Sequence, residues 1–253
     1  MRTALLVICG LLAFGGLRLP LEHALYLEHI RRGLPSPPPL DLSLREQIGQ
    51  LGFVAALGGF RSLVADYLFI QAHVAWERTD WSRLLLLLRE VTTLQPHAIL
   101  FWDIAAWHMA WNASTAALNN PAQPRAALRI KAQREYFDLG KDFLERGITN
   151  NPDHPQLYLA LARLYREKYQ DHARAAEYFA LAAEKPGAPS YAKRFAAYEL
   201  SDCPGRERPA YEQLLALYQQ GERERLPTLI KRLKFLEDKL NIPRDQRIPD
   251  SLR

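Results

Sequence analysis

An all-α fold, in which helical hairpins stack into a solenoid, is what this chain predicts, and three observations carry that prediction. The pair Pro152-x-x-Pro155 recurs as Pro186-x-x-Pro189, displaced by 34 residues. A unit of that length made of two antiparallel helices cannot bury its apolar face alone, so such units stack and leave a surface for a partner. Between the prolines, Tyr158, Leu161, Ala162 and Tyr165 fall at helical spacing, and Ala175, Phe179 and Ala182 follow at i, i+4, i+7. Finally, Leu, Ala, Arg, Glu and Gln dominate while alternating β-branched runs are missing, so the residues that lose least entropy in a helix set the local preference. With 253 residues, 48% of them hydrophobic, the chain can bury a continuous core.

From the start of the chain, residues 1–30 read as a membrane anchor followed by a juxtamembrane helix. Ala4–Leu17 is a run of 14 residues without a charge, bounded by Arg2 and Arg18. It is shorter than the roughly 20 residues that span a hydrocarbon core, so terminal arginines would have to snorkel. A cleaved signal and a buried helix are the alternatives. The absence of an Ala-x-Ala type site and the apolar continuation Leu19–Leu27 favour an uncleaved anchor. The flanking charges are nearly balanced, and an exported domain behind a two-residue tail is the expected orientation. Residues 31–50 hold Gly33-Leu34-Pro35-Ser36-Pro37-Pro38-Pro39, a stiff polyproline spacer. Residues 51–62 are an apolar segment expected to cap the first repeat or to lie at the membrane surface.

Degenerate repeats are expected over 63–240, as about 63–96, 97–152 with an insertion, 153–186 and 187–240. The first ends in Gln95-Pro96 and has Ala72, Leu84, Leu88 and Val91 at core spacing. From Pro96 to Pro152 there are 56 residues, 22 beyond one unit, and the surplus is placed in 113–134, where Asn119-Asn120-Pro121-x-x-Pro124 breaks the helical pattern. Proline opens the later units because it pre-sets φ and lacks an N–H that a helix start leaves unpaired. Asp153 and Ser190 are candidate caps. Arg225–Leu240, with Leu226, Leu229, Ile230, Leu233, Leu236 and Leu240 at helical spacing, reads as a closing helix before a flexible tail at 241–253.

The stretch 151–186 resembles the tetratricopeptide repeat family, which places large, small and aromatic residues at these positions and a proline near the end of each unit. The resemblance implies a TPR-like groove that binds a protein or peptide. Gly58-Gly59-Phe60-Arg61, Ala65-Asp66, Leu94-Gln95-Pro96 and Trp107-x-Met-Ala-Trp-Asn112 resemble a set of membrane-anchored bacterial repeat proteins. That likeness implies a bacterial membrane-anchored repeat protein and brings no activity with it; the anchor reading adds the expectation of a single-pass inner-membrane protein with its repeats on the periplasmic side.

The candidate partner-binding groove is read from Trp102, Asp103, Trp107, His108, Trp111 and Asn112, with Tyr158 and Tyr165. On one helix Asp103, Trp107 and Trp111 share a face, and His108 and Asn112 lie one turn apart. Burial of the tryptophans in a repeat core is the plainer account; a peptide surface lined by them is the sharper one. No catalytic, cofactor or metal site is expected. The sequence lacks a phosphate loop, a Gly-x-Ser-x-Gly elbow, His-Glu-x-x-His and Cys-x-x-Cys, and His73 with Glu77 is a single i, i+4 pair. The two cysteines, Cys9 and Cys203, do not report a compartment. A net charge of +5 invites a nucleic-acid partner, but Glu222, Glu224, Glu237 and Asp238 interleave the basic residues, so none is expected. The functional expectation is a membrane-anchored interaction scaffold without catalysis. A structural subunit of an envelope assembly, such as a pilus or secretion apparatus, is the alternative.

Overall fold

The computed structural model describes residues 59–249 and four isolated positions, Pro20, Ala24, Glu28 and Arg31. The expected anchor, the proline spacer and the apolar segment up to residue 58 lie outside the described residues, as do residues 250–253. The protein is all-α, with no strand among the described residues. Among them, no helix is long and apolar enough to cross a membrane. The chain divides into two compact units, Met1–Phe101 and Trp102–Arg253.

The first unit holds α1 (Arg61–Glu77) and α2 (Trp81–Leu94), packed as a hairpin. Ala65, Ala72 and Ala75 present a small-residue face that lets α2 approach with Leu84, Leu87, Leu88 and Val91. Asp80 starts α2 by accepting the Arg83 N–H at 3.1 Å, which satisfies one of the four donors a helix start leaves unpaired. Thr79 makes the turn with φ of 56°.

In the second unit, α3 (Ile99–Trp107), which carries the boundary between the units, runs through a π turn at His108–Ala113 into α4 (Ser114–Leu118). After the break at Asn119–Arg125 comes α5 (Ala126–Asn150), 25 residues long. The surplus of this repeat, expected over 113–134 as an extended inter-helix loop or an extra turn, is largely helix on either side of a short break. Two glycines one face apart explain how α5 packs so closely. A Cβ on Gly140 would sit 2.7 Å from Ala110 Cβ, and one on Gly147 would sit 2.9 Å from Trp102 Cγ. Only glycine leaves room there.

Then α6 (Pro155–Leu164) passes through a second π turn, Tyr165–Tyr169, and reverses at Gln170 into α7 (His172–Ala183). Pro155 stands in the first turn of α6, whose N-cap is His154 and not the expected Asp153; Ser190 does hold the N-cap position before Tyr191, and neither helix start has a side-chain cap bond. The cap of this hairpin is Asp171, which accepts the Arg174 N–H at 2.9 Å. α8 (Tyr191–Ser201), α9 (Glu207–Gln219) and α10 (Pro227–Lys239) complete the unit around Leu214, Leu229, Leu233 and Leu236.

The flexible tail expected from residue 241 is corrected over 241–249. Asn241 turns the chain back, Ile242 and Ile248 are buried on the α9–α10 core, and the Ile248 N–H donates to the Glu237 carboxylate at 2.8 Å. Two isoleucines and one charge-assisted hydrogen bond outweigh a charged, proline-containing composition.

Candidate functional site: a tryptophan pair under two cations

Trp107 and Trp111 lie one turn apart on α3 and the π turn that extends it. Their rings stack, with centroids 4.9 Å apart and planes 13° from parallel. Arg163 on α6 lays its guanidinium over both, at 5.4 Å from Trp107 and 5.2 Å from Trp111. From the π turn after α6, Lys168 reaches Trp111 at 5.0 Å and Phe137 of α5 at 5.7 Å. The ring faces carry negative quadrupole potential, so each cation is held electrostatically as well as by packing. Trp111 Nε1 donates to Glu167 Oε2 at 3.4 Å, and Glu167 pairs with Arg166 at 2.8 Å.

Charge at this face is partly desolvated. Burial pushes the Asp103 carboxyl up, and the nearby Arg163 guanidinium opposes that rise. Burial likewise pulls the Lys168 ammonium down, against the pull of Glu167. Arg163 Nε is inaccessible and makes no hydrogen bond to the described residues. The two indole faces are what seat the guanidinium. His108 Nδ1 and Asn112 Nδ2 are 3.0 Å apart on the adjoining face.

The expected groove residues thus divide. Trp107 keeps 41% of its surface exposed, and Asp103, His108, Trp111 and Asn112 are half-buried beside it. Trp102, Tyr158 and Tyr165 are core residues and offer a partner no surface. Trp102 meets Phe143. Tyr158 donates its hydroxyl to Pro152 O at 2.9 Å. Tyr165 stacks on Tyr178 at 5.4 Å and accepts from Arg174. Their size makes them good interior fillers at the same spacing that suggests a groove, which is why sequence reasoning grouped them with the exposed residues. Sequence reasoning missed Arg163 and Lys168, which belong to another helix and carry no periodic signal.

A second cluster gathers His172, Glu199 and Asp202, whose ligand atoms lie within 4.8 Å of one another. Each carboxylate already has a cation. Glu199, 5% exposed, takes His172 Nδ1 at 2.8 Å and has Arg166 at 3.8 Å, while Asp202 binds Arg232 bidentately at 2.8 and 2.9 Å. The Arg232 fork occupies the Asp202 oxygens and His172 occupies one Glu199 oxygen, so the geometry is that of a polar and ion-pair network joining α7, α8 and α10. In the first unit His73 and Glu77 make an exposed 3.5 Å surface pair.

These residues define an all-α protein of consecutive helical hairpins with a preformed aromatic and cationic face. No protein-family model matches the chain, and neither a curated protein nor a solved structure matches it.

Proposed function

We propose that the chain is a TPR-like, membrane-anchored interaction scaffold without catalysis of its own, and that the Trp107–Trp111 face receives a protein or peptide partner. The observation that carries the reading is the exposure of Trp107, a large aromatic left 41% accessible while its ring is held in place by Trp111 and Arg163. Rigid, amphipathic aromatics flanked by arginine are what interface hot spots are made of, because little side-chain entropy is lost on binding. Consecutive antiparallel hairpins support the repeat reading, as does the spacing of Tyr158, Leu161, Ala162 and Tyr165 against Ala175, Phe179 and Ala182. The anchor and its inner-membrane, periplasm-facing placement rest on the uncharged run Ala4–Leu17.

The test is recovery of the tagged full-length chain from its native membrane in mild detergent, followed by mass spectrometry. A stoichiometric companion that is lost with Trp107→Ala, in a variant whose helical content is unchanged, supports the reading. A companion retained by that variant places the interface elsewhere, as expected of a structural subunit of an envelope assembly held by its outer faces.

A further inference from the structure

α1 is apolar on two opposite faces. Ala65 and Ala72 face α2, and at 100° per residue Leu63, Tyr67, Ile70 and Val74 form a stripe on the other side. Leu63, Tyr67 and Ile70 are 63%, 61% and 60% exposed. Four large apolar residues at i, i+4, i+7 and i+11 are the pattern of a helix with a second partner.

The molecule's own hairpins show where such a partner lies in sequence. Several of them turn on a residue with positive φ, Thr79, Gln170 and Gly187 among them, and at these three the buried residues of the two helices stand at closely matched distances from that pivot. About Gln170 (φ 54°), the buried pairs are Tyr165 with Ala175, Leu161 with Phe179 and Tyr158 with Ala182, at offsets of 5, 9 and 12. About Gly187 (φ 70°), Ala182 and Ala192 share one cluster at offset 5, and the Phe179 and Phe195 rings touch at offset 8 with centroids 5.4 Å apart. About Thr79 (φ 56°), Ala65 and Leu94 share a cluster at offsets 14 and 15. An antiparallel pair of rods joined by a tight turn must meet in this mirrored order.

Gly59, in the π turn that precedes α1, also has positive φ, at 86°. The exposed stripe stands at offsets of 4, 8, 11 and 15 after it. At the same offsets before it stand Ala55, Leu51, Ile48 and Leu44, every one apolar. Ser43 and Glu46 form the Ser-x-x-Glu capping box that would start a helix there. We propose that the exposed face of α1 is the docking surface for the chain's own segment 44–57, which lies outside the described residues, with Ala55 against Leu63, Leu51 against Tyr67, Ile48 against Ile70 and Leu44 against Val74. The lengths agree: 14 residues of helix are about 21 Å, and the stripe runs about 16 Å. A bilayer is the poorer occupant. The stripe is bordered by Asp66 and Glu77, where a helix lying on lipid carries lysine and arginine.

The test uses the full-length chain with Cys9→Ser, purified in mild detergent. Facing positions on helices packed about 8–10 Å apart come within disulfide reach. Ile48→Cys with Ile70→Cys should close within one chain at least about tenfold faster than Gln50→Cys with Ile70→Cys, whose first member points about 160° away from position 48. Equal rates, or disulfide-linked dimers in place of the internal bond, overturn the proposal; dimers would assign the stripe to a second copy. A second measurement guards against misfolded pairs. Adding Ile48→Asp to Ile70→Cys, with helical content unchanged, should speed maleimide labelling of the thiol about tenfold by opening the contact. Unchanged labelling overturns the proposal, as does labelling that slows only when phosphatidylcholine vesicles are added.

Discussion

Trp107 lies flat on Trp111, 4.9 Å between centroids, and one guanidinium, that of Arg163, covers both rings. The face is therefore fixed before any partner arrives: stacking orients the indoles, and the cation from α6 ties α3 to the hairpin behind it. Preorganisation of this kind lowers the entropy lost on binding. It also makes the energetic roles of the two residues separable.

Trp107→Ala removes an exposed ring and should cost stability little, about 1 kcal/mol or less, while abolishing capture of a partner. Arg163→Ala should instead cost about 1–2 kcal/mol, since it strips a half-desolvated cation from two rings. Urea unfolding followed by circular dichroism separates the two. The Arg163 variant should also shift tryptophan emission to the red as Trp111 gains water. A Trp107 variant that unfolds earlier than the Arg163 variant would contradict this division.

Gly140 decides how closely α5 lies on α3 and its π extension. Alanine is the better helix former by about 1 kcal/mol, but its methyl would stand 2.7 Å from Ala110 Cβ and 3.0 Å from Ala106 O. Overpacking wins, and Gly140→Ala should destabilise by about 1–3 kcal/mol net. Combining it with Ala110→Gly returns the missing space, so the double variant should be more stable than the sum of its parts. Thermal unfolding of the four proteins of the cycle measures that coupling, and strict additivity would place the clash elsewhere.

Much of the fold was legible because helical spacing is a local signal. Tyr158, Leu161, Ala162 and Tyr165, and Ala175, Phe179 and Ala182, are all buried at the positions their periodicity gives. Leu229, Leu233 and Leu236 close the second unit in the same way. What periodicity cannot give is which helix covers which. Gly140 and Gly147 read as weak points in a helix until Ala110 and Trp102 are seen against them. The candidate site divided for the same reason. Aromatic residues at helical spacing mark a packed face, and only the neighbours decide whether that face meets protein, as for Trp102, or solvent, as for Trp107. The His172–Glu199–Asp202 network has a signal in the mirrored order of its hairpin. His172 and Asp202 stand 15 residues either side of Gly187, the pivot of their hairpin.

Thr79 is a β-branched residue in the left-handed region, at φ 56°. That conformation costs an L-residue about 1–2 kcal/mol, and branching at Cβ makes it worse. Its hydroxyl recovers part of the cost by donating to Arg78 O at 2.7 Å. Thr79→Gly should stabilise the α1–α2 hairpin by about 1 kcal/mol, and Thr79→Val, which keeps the branch and loses the hydroxyl, should destabilise it. Hydrogen exchange at α2 amides reports the sign. Faster exchange in the glycine variant would mean that chain entropy outweighs the relief of strain.

Glu90 on α2 is 2% exposed, and its Oε1 has no hydrogen-bond partner among the described residues. Burial pushes its carboxyl from 4.5 up to about 7, so the fold prefers the protonated form. The sign of the pH effect follows. Below about pH 4.5 the carboxyl is neutral in both folded and unfolded chains and costs nothing. Between about 4.5 and 7 the unfolded chain releases the proton and the folded one keeps it, so stability falls as pH rises and then levels off above about 7. The total is on the order of a few kcal/mol. Glu90→Gln has no charge to bury and should lose this slope. It should match the parent near pH 4 and exceed it by about 1–3 kcal/mol at pH 8, measured as the difference between parent and variant in thermal unfolding so that other titrations cancel. A difference that is the same at both pH values would show that Glu90 reaches a counter-charge or water in solution and titrates as an ordinary carboxylate.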